Sequence, residues 1–309
     1  MRVLVTGGAG FIGSHTTRIL LERGHQVTVY DNLSSGRRDI VPRAAVFVRG
    51  DLKDERKLTE TLAEHDAVVH LAAFIAVGVS VERPVAFAEN NIVNTVRLLE
   101  AMRRTGVRRI VFSSSATVYG VPKRLPIREE DPLGIQSNPY GATKIAAEAF
   151  VAVYHRLHGF DANILRYFNP FGPNELCEPE THLIPNVIRA ALLRQPVPLY
   201  WKGEQIRDYI YVEDLAAAHA EVLELPGLNY FNVGSDTGTK ARDIVQKVTD
   251  ILGYSVPIRD LGERPGDVPA NYATSEKLRK ATRWRPLVGL DEGLRRTIEY
   301  YRARLGIEG

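Results

Sequence analysis

Tyr140 and Lys144 lie four residues apart in the run Pro139-Tyr140-Gly141-Ala142-Thr143-Lys144, so on a helix both side chains leave the same face. A phenol ionises near pH 10, far too high to serve as a base at neutrality. An ammonium group one helical turn away favours the phenolate and lowers that value. Tyr140 thereby becomes a base suited to a sugar or alcohol hydroxyl. Ser115 closes the run Ser113-Ser114-Ser115 and is the natural second donor, steadying an oxygen as it turns from alkoxide to ketone. A bare Tyr-x-x-x-Lys is common by chance, and its weight here comes from its place in the chain.

That place is behind a dinucleotide unit. Gly7, Gly10 and Gly13 follow a short apolar run at 3–5 with the spacing G-x-x-G-x-x-G. A pyrophosphate can approach the backbone only where no Cβ intrudes, and its charge is best met by free N–H groups at a helix N-terminus. Phe11, Ile12 and Gly13 open that helix, expected over 11–23, and 27–30 is the next strand. Asp31 then lies 18 residues after Gly13, where such folds place the carboxylate that binds the adenosine ribose hydroxyls. An acid here repels a 2′-phosphate, which favours NAD over NADP. Arg37 and Arg38 follow closely enough to meet such a phosphate and leave that point open. An oxidised nicotinamide ring beside Tyr140 would lower its pKa further.

The rest of the chain must hold these two groups together. Strands are expected at 46–48, 66–73, 109–112 and 164–167, with helices at 54–63, from Pro84 to beyond Met102, and from Pro139 to His158. This alternation predicts an α/β fold with a doubly wound parallel sheet of Rossmann type, whose ligands sit at the carboxyl ends of the strands. Asp51, Leu71-Ala72-Ala73 and Ser113 all fall at such ends, the small residues leaving room beside a pyrophosphate. His70 reads as a satisfied core histidine, with no second metal-binding side chain near it in sequence. Beyond Asn169 prolines and glycines become frequent and strands shorten. Residues 1–170, with about 210–235 returning, are expected to form the dinucleotide domain, and 171–309 a smaller, discontinuous α/β substrate lobe.

Composition excludes several classes. Hydrophobic residues make up 44% of the 309 and charged ones 25%, ordinary for a globular enzyme, and the net charge of +3 is spread too evenly for a nucleic-acid footprint. The dense patch Arg103-Arg104-Thr105-Gly106-Val107-Arg108-Arg109 reads as cations at a helix C-terminus closed by Gly106. Cys177 is the only cysteine, so no intrachain disulfide forms and a reducing compartment is expected. The stretch 67–81 is too short to span a bilayer and reads as a buried strand followed by a loop. The N-terminus carries no leader-like segment, so a cytoplasmic protein without membrane or nucleic-acid partners is expected.

Thr6-Gly7-Gly8-Ala9-Gly10-Phe11-Ile12-Gly13, the Ser115/Tyr140/Lys144 set and Arg207-Asp208-Tyr209-Ile210-Tyr211-Val212-Glu213-Asp214 resemble the extended short-chain dehydrogenase/reductases. Within them the chain is similar to the UDP-glucose 4-epimerases, through Asp31-Asn32-Leu33-Ser34-Ser35-Gly36, Ser113-Ser114-Ser115-Ala116-Thr117-Val118-Tyr119-Gly120 and Arg166-Tyr167-Phe168-Asn169-Pro170. The resemblance covers essentially the whole chain. It implies that Asn32, Ser35, Gly36, Leu52, Asn90 and Phe168 help hold NAD, and that Asn169, Leu183, Tyr200, Arg207, Arg264 and Asp267 line a nucleotide-sugar site. It implies a homodimer through the helices at 84–104 and 139–158.

Two departures stand out. Phe74-Ile75 occupy the place where better-known epimerases carry a lysine, and Tyr272 stands one place beyond the tyrosine that closes their sugar pocket, which would admit a larger C2 substituent such as N-acetyl. Dehydratases of this superfamily need a carboxylate pair directly after the serine or threonine of the fifth strand, and here Ala116 and Thr117 stand there. The resemblance therefore implies reversible oxidation at C4 of UDP-glucose or UDP-galactose, without metal. UDP-N-acetylglucosamine or UDP-glucuronate epimerisation, and a non-catalytic NAD sensor of the same fold, remain alternatives.

Overall fold

The computed structural model of the protein describes residues 1–176, 182–263 and 268–307. Seven parallel strands form its main sheet: β1 (Arg2–Thr6), β2 (Gln26–Asp31), β3 (Val46–Arg49), β4 (Ala67–His70), β5 (Arg109–Ser115), β6 (Asp161–Tyr167) and, after a long excursion, β10 (Leu228–Val233). Their order is β3-β2-β1-β4-β5-β6-β10, so the chain winds outward from β1 in both directions. Alternation along the strands divides the core: Val3, Val5, Val69 and Val111 face one side, where they meet Leu20, Leu215 and Val222. Leu4, Val68, Ile110 and Phe112 face the other, against Leu58, Leu98, Met102 and Val151. The covering helices are α1 (Phe11–Glu22) and α8 (Val212–Val222) on the first face, and α2 (Glu55–Leu62), α5 (Asn94–Thr105) and α6 (Pro139–His158) on the second. The doubly wound Rossmann-type sheet expected from the sequence is present.

The helix expected from Pro84 onward is broken. It begins as α4 (Pro84–Ala88), passes through a π-helical segment, Glu89–Val93, and continues as α5. Before it, the stretch expected to be a loop contains α3 (Val77–Glu82), and β4 ends at His70, leaving Leu71-Ala72-Ala73 as a connection. At the end of α5, Gly106 takes the left-handed conformation (φ 80°) with Arg103 and Arg104 in the last turn. Both arginines pair with Glu100.

A smaller group of strands surrounds β9 (Ile206–Tyr211), which pairs with β7 (Asn169–Phe171), β11 (Gly238–Lys240) and β13 (Ala270–Asn271); β8 (Val197–Leu199) pairs with β12 (Ile258–Asp260). These strands pack with α7 (Leu183–Leu192), α9 (Ala241–Leu252) and α11 (Leu290–Leu305) in a second core around Phe171, Ile188, Tyr211, Val248 and Leu294. The short helix α10 (Glu276–Ala281) brings Leu278 to the first face of the main sheet, where Trp284 also lies. Among the described residues no helix is long and apolar enough to cross a membrane.

Candidate active site

Register brings the carboxyl ends of the central strands into line. Thr6 is level with Tyr30 and His70, and His70 with Phe112, so Asp31, Gly7, Leu71 and Ser113 leave the sheet side by side. A ligand laid along this edge meets Asp31 at one end and the serines at the other.

At the first end the backbone is packed too closely for side chains. A Cβ on Gly7, whose φ is +72°, would stand 2.6 Å from the Ala72 nitrogen, and one on Gly13 only 2.2 Å from the Gly7 carbonyl oxygen. The N-cap of α1 is Gly10, and no side chain caps the helix. Its first-turn N–H groups are therefore left for an anion. The Asp31 carboxylate, its pKa raised by burial, accepts from the N–H of Ala9 (3.0 Å) and of Leu33 (2.8 Å), which aims it at the glycine turn. Each oxygen keeps a lone pair for a ribose hydroxyl. Gly36 is pressed against that carboxylate, Ser35 is exposed on the same loop, and Asn32 donates to Asp51 at 2.9 Å. Arg37 is engaged by Asp39 and Arg38 lies over the Phe47 ring, so neither arginine is held toward Asp31. These residues fit NAD.

Other expected contacts are placed differently. Leu52 is buried in the core with Tyr30 and Leu58, and Phe168 packs with Val118, Tyr119 and Ile127. Phe11 stacks edgewise on His15, and Ile12 packs toward the first face of the sheet. Asn90 donates to Asn91, which in turn grips the backbone of Phe74 through both its N–H and its C=O (2.8 and 2.9 Å) and donates to Thr143 on α6 (3.1 Å). The π-helical segment supplies this extra inward asparagine, a use typical of such insertions.

The second end holds the titratable cluster. Asn138 caps α6 by accepting the Gly141 N–H at 2.9 Å, Pro139 begins the helix, and Ser80 of α3 accepts the Tyr140 N–H at 3.2 Å. Ser115 stands beside the Tyr140 hydroxyl, where its polar side chain favours the phenolate. Lys144 Nζ donates to the Ser113 carbonyl at 2.7 Å and lies 5.8 Å from the Tyr140 ring centroid. The sequence assigns the acidification of the phenol to the lysine and an oxidised nicotinamide ring together, and the lysine by itself does not achieve it. Burial pushes Tyr140 up to about 12, opposed by the neighbouring Ser115, and pushes Lys144 down to about 8, opposed by Glu148. Desolvation outweighs one cation that is itself desolvated.

His70 is the satisfied core histidine expected. Thr95 donates to the Asn91 carbonyl, so its oxygen accepts from His70 Nε2–H (3.0 Å), which leaves Nδ1 to accept from the Thr6 hydroxyl (2.7 Å). Burial, and then Lys144, hold it down to about 3. Among the described residues no cluster of side chains could hold a metal ion.

Asn169, Leu183, Tyr200 and Arg207 line one cavity, with His182, Gln205 and Tyr209 in its wall. Asn169 donates to the Asp208 carbonyl at 3.0 Å, and the Gln205 Oε1 is buried there without a hydrogen-bond partner among the described residues. Arg264 and Asp267 lie outside the described residues, as does Cys177. Sequence reasoning missed Ser80, Asn91, Thr143 and Gln205, whose meaning depends on contacts between distant segments.

Over residues 3–234 the sequence matches the NAD dependent epimerase/dehydratase family. The chain belongs to that family. It is an NAD-dependent enzyme of the epimerase kind. It is 40% identical to the UDP-glucose 4-epimerase of Halalkalibacterium halodurans over 305 residues, which covers 93% of this chain and 91% of the relative. Its fold is similar to the Thermus thermophilus UDP-glucose 4-epimerase in complex with NAD (TM-score 0.91, 38% identity, 98% of this chain and 99% of that one). It is also similar to the UDP-N-acetylglucosamine 4-epimerase of Methanobrevibacter ruminantium in complex with UDP-N-acetylmuramic acid (TM-score 0.93, 33% identity, 98% of each chain).

Proposed function

We propose that the protein interconverts UDP-glucose and UDP-galactose, with Ser115, Tyr140 and Lys144 as its catalytic residues. The observation that carries this reading is the buried Tyr140 beside Ser115, with Lys144 one turn along the same helix and bonded to the Ser113 carbonyl, next to a glycine turn shaped for NAD. NAD, when bound, supplies an acceptor for the C4 hydride and returns it within the same turnover. Tyr140 takes the proton from the C4 hydroxyl and gives it back after the sugar has turned its other face. Ser115 donates to the C4 oxygen as its charge develops, and Lys144 holds the phenolate by its charge. The cavity of Asn169, Leu183, Tyr200 and Arg207 receives the nucleotide diphosphate, with the Arg207 guanidinium suited to bidentate contact. Residues 171–309, apart from those returning to the main sheet, form the sugar-nucleotide side of the enzyme.

Ala116 and Thr117 bear on the choice within the family. Dehydration requires a group that removes a proton from carbon, and neither side chain can do so. Epimerisation needs none. A second reading, UDP-N-acetylglucosamine as substrate, is favoured by Tyr272: its ring packs against Gly238 instead of lining the cavity. Incubating the protein with a panel of UDP-sugars and assaying each for its C4 epimer tests both; turnover of none would sink the catalytic reading.

The partner we infer is a second copy of this chain. Val85 on α4 and Phe150, Val153 and Leu157 on α6 are exposed and apolar, which suits a four-helix interface between two copies. A cytoplasmic location agrees with the single cysteine.

A further inference from the structure

We propose that Glu148 is a positioning residue for the catalytic pair, holding the Lys144 ammonium and the end of β5 in place from behind through its buried ion pair with Arg166. The inference rests on the epimerase reading of Tyr140 and Lys144.

Tyr140, Lys144 and Glu148 follow one another at intervals of four on α6, so they share one face. The side chains of Glu148 and Arg166 are 4% and 5% exposed. Arg166 donates from Nε to Oε1 at 3.0 Å and from Nη2 to Oε2 at 2.8 Å, and the Ser114 hydroxyl donates to the same Oε1 at 2.5 Å. Ser114 and Arg166 are cross-strand neighbours, so the carboxylate ties β5, β6 and α6 together at one point. Arg166 cannot drift. Its Nη1 donates to the Tyr119 oxygen at 2.9 Å, Tyr119 donates to Asn232 at 2.6 Å, and the guanidinium lies about midway between the Tyr119 and Tyr230 rings, 5.0 and 4.9 Å from their centroids.

Side chains alternate along β5. Fixing Ser114 on one face therefore fixes its neighbours, the Ser113 carbonyl that accepts from Lys144 and Ser115 on the other face beside Tyr140. The charges point the same way. Lys144 is faced by Tyr140 and Glu148 from its own helix and by His70 from β4; from β6, Tyr167 lies near Tyr140 and Arg166 is bonded to Glu148. His70 is neutral, the tyrosines are phenols and the Arg166 charge is spent on Glu148, so Glu148 brings the negative charge that keeps a desolvated ammonium protonated. A buried ion pair is not needed for stability, since apolar residues of like volume do as well. Its value here is where it puts a charge.

The test is the double variant Glu148→Leu/Arg166→Met, which leaves no lone buried charge, studied in the NAD-loaded protein. The expected result is a folded protein with retained NAD and unchanged KM for the UDP-sugar. Its kcat falls roughly tenfold, and the alkaline limb of the kcat profile moves about one pH unit toward acid. Near-ultraviolet titration, taken as the difference between each protein and the same protein carrying Tyr140→Phe, isolates Tyr140, and its ionisation midpoint moves up. A double variant with wild-type kcat, wild-type alkaline limb and an unmoved Tyr140 titration overturns the proposal. Should that variant not fold, Glu148→Asp decides: a several-fold lower kcat with an acid-shifted limb supports it, and an unchanged profile overturns it. Wild-type protein without epimerase activity on any UDP-sugar would instead sink the reading beneath it.

Discussion

At the scale of single residues, the reactive phenol is harder to ionise in this protein than in water, pushed up to about 12 by burial. The lysine beside it, down to about 8, does not reverse this alone. A second positive charge is required, and the nicotinamide ring of NAD⁺ carries one. Adding NAD⁺ should therefore lower the Tyr140 midpoint by at least one unit in a near-ultraviolet difference titration, each unit being about 1.4 kcal/mol; no movement would show that the ring lies elsewhere. Tyr140→Phe removes the base and keeps the shape. Its kcat should fall by roughly 10² to 10⁴ with NAD still bound, measured by turnover and by cofactor content after gel filtration. Variants that retain activity would remove Tyr140 from its role.

At the scale of elements, the glycine turn makes the sharpest prediction. A methyl at Gly13 would meet the Gly7 oxygen at 2.2 Å and the Gly8 Cα at 2.6 Å, both backbone atoms that cannot swing aside. Gly13→Ala should lift α1 from β1, cost about 1–3 kcal/mol of stability, and weaken NAD binding at least tenfold, as titration calorimetry would show. This element was legible in the sequence because its constraints are local: glycine spacing, an apolar strand and an acid at a fixed offset. The stop Gly106 was legible for the same reason. The break at Glu89–Val93 was not, since the apolar period continues across it and the reason for the extra residue, Asn91 gripping Phe74 and Thr143, lies 17 and 52 positions away. Ser80 under Tyr140 was hidden likewise, 60 positions off. The pairing of Glu148 with Arg166 follows from strand order, which periodicity does not report. Local chemistry is written in the chain, and long-range pairing only in the fold.

At the scale of the molecule, buried titratable groups set the response to acid. His70 and His219 are held down to about 3 and about 4 against 6.5 when free, so the unfolded chain binds their protons first and stability drops as pH falls below 6.5. Asp208, held up to about 6 against 3.8, acts in the opposite sense and offsets one of them. His15 and His65, held down by burial, add to the loss, while Asp31, Glu129 and Asp214, held up by burial, subtract from it, so the histidines leave a net fall in stability between pH 6 and pH 4. Urea midpoints across that range should fall; a midpoint that rises would reverse the argument. If the exposed face of α4 and α6 joins two copies, Phe150→Glu/Leu157→Glu should halve the mass seen by light scattering while leaving the far-ultraviolet spectrum intact. An unaltered mass would place the contact elsewhere. The late arrival of β10 bears on how the protein is made. When the ribosome has delivered β6, the outer edge of that strand is bare, and its partner Leu228–Val233 emerges only about sixty residues later, roughly 3–12 s at ordinary elongation rates. Through that interval the nascent chain offers a template for stray strands, so slow translation or a premature stop between these points exposes the cell to pairing at β6 that β10 blocks in the finished enzyme.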